Sequence, residues 1–122
     1  MQTVVASFYQ AVGAGNLGAV QRIALPSATA LLAGDRTPPV LVPIRTMIDV
    51  TERRNQGGGV RVARNEFRPD GDVATDRVVV VSRSGDGRRE FEAADLVVLA
   101  RRAGYWRVAH IVFGPWKVRT AP

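Results

Sequence analysis

Apolar and polar residues alternate along this chain with two different periods. Val4, Val5, Phe8 and Val12 follow the i, i+1, i+4, i+8 spacing of one helical face. Gly13 and Gly15 supply a stop, because glycine tolerates the left-handed conformation at a helix C-terminus. Asn16 is a good N-cap for a second helix carrying Leu17, Val20, Ile23 and Ala24, which Pro26 ends. Residues 28–33 then read as a short strand and 35–39 as a loop, where Pro38 and Pro39 bar regular pairing. Two templates fit the next stretch. Ile44, Met47, Ile48 and Thr51 share a helical face, whereas Val40, Val42, Ile44, Thr46, Ile48 and Val50 alternate as a strand would. Arg53, Arg54 and the Gly57–Gly59 terminator favour a helix over residues 44–54.

From Val60 onward the period is two. Strands are expected over residues 60–67, 73–83, 88–99 and 105–113, with turns at Pro69-Asp70-Gly71 and residues 84–87. Strand, tight turn, strand, repeated three times, predicts an antiparallel meander. Helices first and a sheet afterwards is an α+β arrangement of a single domain spanning 1–122.

The last hairpin carries the most informative chemistry. Phe91, Ala93, Val97 and Leu99 share a face with Asp95; Trp106, Val108 and Val112 share one with His110. A register that leaves Arg101 to Gly104 as the loop sets Asp95 opposite His110, with every other pair on that face apolar. A carboxylate beside an imidazole raises the histidine pKa and orients the ring, so the pair could move a proton. Tyr9 and Arg77 are candidate oxyanion partners, and Arg77 lies on the strand face of Val73, Val79 and Val81. Two structural readings compete with this one: a satisfied ion pair at the rim of the core, or an interface with Trp106 as anchor. Trp116, beyond Gly114-Pro115, either closes a pocket or caps the core.

Composition narrows the classes. There is no cysteine and a single histidine, which excludes disulfides, thiolate chemistry and cysteine metal sites. The formal charge is +6, with sixteen arginines against Lys117 alone. Arg61, Arg64, Arg68, Arg77, Arg83, Arg88 and Arg89 alternate with Glu66, Asp70, Asp72, Asp76, Asp86, Glu90 and Glu92. Such mixing reads as solvated strand surface and not as a nucleic-acid stripe. Asp70, Asp72 and Asp76 lack calcium-loop spacing, and Gly57–Gly59 lacks the lysine of a phosphate loop. No apolar run has the length of a membrane span, and no leader pattern opens the chain. The expected setting is therefore the cytoplasm, or an exported compartment after loss of a leader.

The segments Phe8-Tyr9-Gln10-Ala11-Val12-Gly13-Ala14-Gly15-Asn16-Leu17, Asp72-Val73-Ala74 and Gly104-Tyr105-Trp106-Arg107-Val108-Ala109-His110 resemble the nuclear-transport-factor-2-like superfamily, in its SnoaL-like and ketosteroid-isomerase-like branch. The resemblance covers nearly the whole chain. It implies a cone, with N-terminal helices packed in the concave face of a curved antiparallel sheet, an apolar pocket inside and a homodimer through the outer face. Steroid-isomerase-like members place an oxyanion tyrosine where this chain has Phe8, one residue from Tyr9. Their general-base acid falls near Leu32, and their penultimate-strand acid near Leu96, one residue from Asp95. Epoxide-hydrolase-like members need an Asp-Arg-Asp set, to which Asp95 and Arg77 alone could contribute. The resulting expectation is a protein that binds a small hydrophobic molecule without a cofactor or metal. Tyr9, Arg77, Trp106, Val97, Val108 and Trp116 would line its pocket. One alternative is a cofactor-free isomerase, cyclase or dehydratase using His110 and Asp95. Another is a protein-interaction or secretion-apparatus module.

Overall fold

The computed structural model describes residues 2–32, 39–46, 60–83 and 88–119. Helix α1 spans Gln2–Gly13 and α2 spans Leu17–Ile23. The Asn16 side chain accepts a hydrogen bond from the Ala19 amide at 3.1 Å, the N-cap its sequence position predicts. Among the described residues seven strands follow: β1 (Ala24–Leu32), β2 (Val40–Pro43), β3 (Val60–Asp70), β4 (Val73–Arg83), β5 (Glu90–Arg102), β6 (Tyr105–Phe113) and β7 (Lys117–Val118). Their order is β2-β1-β6-β5-β4-β3, with β7 pairing β5 beyond the end of β6. The β3 to β6 meander is antiparallel, as expected; β1 joins it by a parallel pairing with β6.

Several boundaries differ from the expected ones for identifiable reasons. Strand β1 begins at Ala24, before Pro26, because the proline falls between Ala24 and Thr29, where the register with β6 shifts. Pro69 lies within β3 instead of in a turn, which an edge strand tolerates. Residues 44–46 are helical; the rest of the expected 44–54 helix and the 84–87 turn lie outside the described residues. Among the described residues no helix is long and apolar enough to cross a membrane.

The sheet is curved and its inner face carries the core. Val78 and Val80 of β4, Val97 and Leu99 of β5, and Val108 and Ile111 of β6 are buried against Val5, Phe8, Val12 and Val20 of the helices. Each inner residue alternates with an outer one, the period-two consequence of the pleat.

The β5–β6 hairpin departs from this alternation once. Its turn is shorter than expected: Arg102 pairs with Tyr105, leaving only Ala103 and Gly104 at the tip. Both have positive φ, 53° and 82°, the combination a type I′ turn requires. The register then shifts between Val98–His110 and Leu99–Val108, so Ala109 is an extra residue on β6, a β-bulge. Val108 and Ile111 are consequently both fully buried, and His110 is turned to the other face.

Ala103 holds a left-handed conformation that costs an alanine about 1 kcal/mol. Ala103→Asn creates the Asn-Gly pair preferred in such turns and is expected to raise the unfolding free energy by up to roughly that amount, read as a higher urea midpoint. An unchanged or lower midpoint would contradict the turn assignment.

Candidate functional site

The inner face is apolar except for Ser82, two acids and the partners of those acids. Asp95, on β5, is 5 % exposed. Its Oδ2 accepts a hydrogen bond from the Tyr9 hydroxyl at 2.7 Å, and its Oδ1 accepts one from the Gly114 amide at 2.9 Å. Tyr9 is itself 2 % exposed and stands edge-on to Phe8, with ring centroids 5.6 Å apart. Gly114 is required for this geometry. A Cβ at that position would lie 2.2 Å from the Ala94 carbonyl oxygen, so any other residue pushes the amide away from Asp95.

One strand over, Asp76 of β4 is wholly buried. The Asn65 side-chain amide donates to its Oδ2 at 3.0 Å. Its Oδ1 has no hydrogen-bond partner among the described residues. Val78 pairs with Asp95 and Asp76 with Val97, so the two acids are diagonal neighbours on one sheet face, about 7 Å apart.

Burial dominates the electrostatics of all three groups. It raises the Asp95 pKa from 3.8 to about 6, against the lowering effect of the Tyr9 and Gly114 hydrogen bonds. It also raises Asp76, against the Asn65 hydrogen bond and the Glu66 main-chain amide. Tyr9 is raised well above 10, by burial first, then by Asp95, with a further contribution from Asp76. The site therefore holds a carboxyl that changes protonation near neutral pH, beside a phenol that stays protonated.

The expected site residues are only partly brought together. Tyr9 and Asp95 meet. His110 does not join them: the Ala109 bulge turns it outward, where its Nδ1 is hydrogen-bonded to Thr29 Oγ1 at 2.8 Å. The expected Asp95–His110 pair is thus replaced by Tyr9–Asp95 inside and Thr29–His110 outside. Arg77 is exposed on the outer face, so no Asp-Arg-Asp set forms around Asp95. Val97 and Val108 are fully buried in the core. Trp106 is buried edge-on against Phe67, at 5.7 Å, with the Arg101 guanidinium 5.3 Å from its ring. Trp116 is half-buried and packs on the core. Asp76, expected among solvated charges, is wholly buried. Its position between Ala74 and Val78 in a strand of period two is the signal that identifies it. Among the described residues no three metal-ligating side chains converge.

The outer face carries a cleft of about 550 Å³ across β3 to β6. Val79, Ala94, Leu96 and Val112 form its apolar floor, and Arg64, Glu66 and Arg77 stand at one side.

A helical hairpin packed in the hollow of such a sheet is the nuclear-transport-factor-2-like fold. Solved structures similar over nearly their full length share it. A protein of this fold and unknown function from Silicibacter pomeroyi DSS-3 is 17 % identical, with 97 % of this chain and 92 % of that one covered and a TM-score of 0.64. A candidate ketosteroid isomerase from Shewanella frigidimarina NCIMB 400 is 15 % identical, with 92 % of each chain covered and a TM-score of 0.70. A candidate aromatic ring hydroxylase from Novosphingobium aromaticivorans is 17 % identical, covering 97 % and 90 %, with a TM-score of 0.67. No protein-family model and no curated protein matches the sequence.

The Asp95 shift makes a signed prediction. The folded state holds the proton more tightly than the unfolded chain. The contribution of Asp95 to stability is therefore fully present below pH 3.8 and is lost as pH rises through about 6. The loss amounts to about 3 kcal/mol. Asp95→Asn, whose amide can serve both Tyr9 and Gly114, removes that decline. Urea unfolding at pH 4 and pH 7 reads the difference. A variant whose stability falls as steeply as the parent's over that range would contradict the assignment.

Proposed function

We propose that the protein binds a small, largely apolar molecule on the inner face of the sheet, with the Tyr9 hydroxyl, released when Asp95 takes up a proton, donating to a carbonyl or similar oxygen of that molecule. The observation that supports this reading most is the hydrogen-bonded Tyr9–Asp95 pair, placed among apolar side chains. A buried carboxyl is costly in an apolar setting. Perturbed acids set in an apolar recess are the usual mark of a site that meets a ligand. The reading rests on this geometry together with a fold that houses pockets in the same place. The test is a titration with 1-tetralone, a bicyclic ketone, followed by amide NMR. The Gly114 amide is expected to shift on binding, and Tyr9→Phe to weaken binding about tenfold, the value of one hydrogen bond to a polar oxygen. Shifts confined to the outer face, or none at all, would reject it.

A catalytic reading is favoured by the burial of Asp95, which pushes its pKa up to about 6. A carboxyl poised near neutrality is suited to general acid–base work, as in a cofactor-free isomerisation or dehydration. Asp95 and Tyr9 would then act on the substrate oxygen, and Asp76 would be the second acid. His110 has no place in this scheme, because it lies on the opposite face.

We also propose that the outer face pairs with a second copy of the chain. Val79, Ala94, Leu96, Val98 and Val112 form a continuous apolar strip there, with arginine and glutamate side chains along its borders. Sedimentation equilibrium should return a dimer, and Leu96→Arg a monomer that keeps its far-ultraviolet spectrum. A parent chain that sediments as a monomer at tens of micromolar would remove the proposal.

A further inference from the structure

Strand β1 leaves the regular sheet over part of its length, and the departure opens a hollow. Its pairing with β6 holds at Ala24–Val108 and resumes, in a shifted register, at Thr29–His110. Pro26 lies in that gap and has no amide hydrogen to give to a ladder. Ala24 and Ala28, the buried residues on either side of it, are too small to fill the space. Helix α2 covers the hollow with one face, since Leu17, Val20 and Gln21 stand at i, i+3 and i+4 and all line it. Pro43 at the end of β2, with Ile44 and Arg45 of the helical residues that follow, forms another wall. The volume is about 360 Å³, within the range of small-molecule sites.

The base and the rim of this hollow differ in character. Val20, Ala24, Ala28 and Ile44 are buried and make an apolar base. Gln21 and Arg45 are exposed and stand on separate walls, one on α2 and one after β2. Among the described residues Arg45 is the one charged group that lines the hollow, and its guanidinium makes no ion pair or hydrogen bond with any of them. A cation beside an apolar recess favours an anion whose remainder is apolar. The Gln21 amide supplies a second donor at the rim. Neither Tyr9 nor Asp95 lines this hollow, and no residue of the outer apolar strip does, so it is independent of both surfaces proposed above.

We infer that the hollow between α2, β1 and Arg45 is a binding site for a small apolar carboxylate, with the acid on Arg45 and the hydrocarbon or aromatic body against Val20, Ala28 and Ile44. A neutral molecule of the same shape keeps the body contacts and loses the charge contact. A bare carboxylate keeps the charge contact and loses the body. The site therefore distinguishes an acid from its amide by the worth of one exposed ion pair, roughly fivefold in affinity.

Three probes test this: 1-naphthylacetate, its neutral amide 1-naphthylacetamide, and acetate. Affinities are measured by amide NMR titration of the full chain at pH 7. Naphthylacetate is expected to shift the amides of Val20, Gln21, Ala28 and Arg45 and to bind roughly fivefold more tightly than the naphthylacetamide. Acetate should leave those four amides in place. Arg45→Gln, an exposed substitution that removes the charge and keeps a polar side chain, should bring acid and amide to equal affinity and leave the amide's own binding unchanged. Equal binding of acid and amide by the parent chain overturns the inference. So does a preference for the acid that survives in Arg45→Gln, which would assign it to the net charge of +6 and not to this site. Acetate binding as tightly as naphthylacetate, or failure of both aromatic probes to move these amides, overturns it as well and leaves the inner and outer faces untouched.

Discussion

The carboxyl of Asp95 is the group around which the rest of the structure is arranged. It ties the first helix to the middle of the sheet through the Tyr9 hydroxyl, and the end of β6 to β5 through the Gly114 amide. Each tie constrains sequence elsewhere. Tyr9 must face the sheet alongside Phe8, and position 114 must lack a side chain because the chain passes directly over the Ala94 carbonyl. Two hydrogen bonds would normally hold a carboxyl below its ordinary pKa. Here burial outweighs them, which says that water is largely excluded from around the group. A proton that moves near neutrality follows from that balance and not from any neighbouring charge.

The bulge at Ala109 decides which chemistry shares a face with Asp95. Without it, strict alternation along β6 would keep His110 on the side of Trp106 and Val108. One inserted residue sends His110 outward to Thr29 and brings Ile111 and Phe113 inward. The inner site is consequently built from oxygen acids, a phenol and an amide, with no imidazole. Any proton transfer there would run between carboxyl and phenol oxygens. The outer face receives the arginines, the histidine and a small-residue apolar floor, a surface suited to contact more than to chemistry.

Much of this was legible in the sequence, and the exceptions share a cause. The helical hairpin, the Asn16 cap, the β4 and β6 boundaries and the antiparallel meander follow from local periodicity and capping residues. The burial of Asp95 follows from alternation within its strand, whereas Arg77, expected to line the pocket, faces outward. Register between strands is harder to read. The Arg101–Gly104 segment fits a four-residue loop by pattern, whereas the chain makes a two-residue turn with Ala103 in a left-handed conformation that alanine does not advertise. A bulge leaves no compositional mark either, because Ala109 suits either strand face. The Asp95–His110 pairing was lost to these two features together. Asp76 was masked differently: its neighbours Asp70, Asp72 and Arg77 suggest solvated surface, and only position-by-position alternation separates it from them. The Tyr9–Asp95 contact spans 86 residues and could be reached only through the fold.

The protonation state of Asp95 decides whether this polar centre exists. Carbon-detected NMR of the Asp95 carboxyl, followed from pH 3 to pH 8 in the parent chain, measures it directly. Titration centred near 6, with the Tyr9 ring signals moving in step, is the expected result. A midpoint at or below 4 would mean that the group is solvated or firmly ionised, and the polar centre described above would not exist.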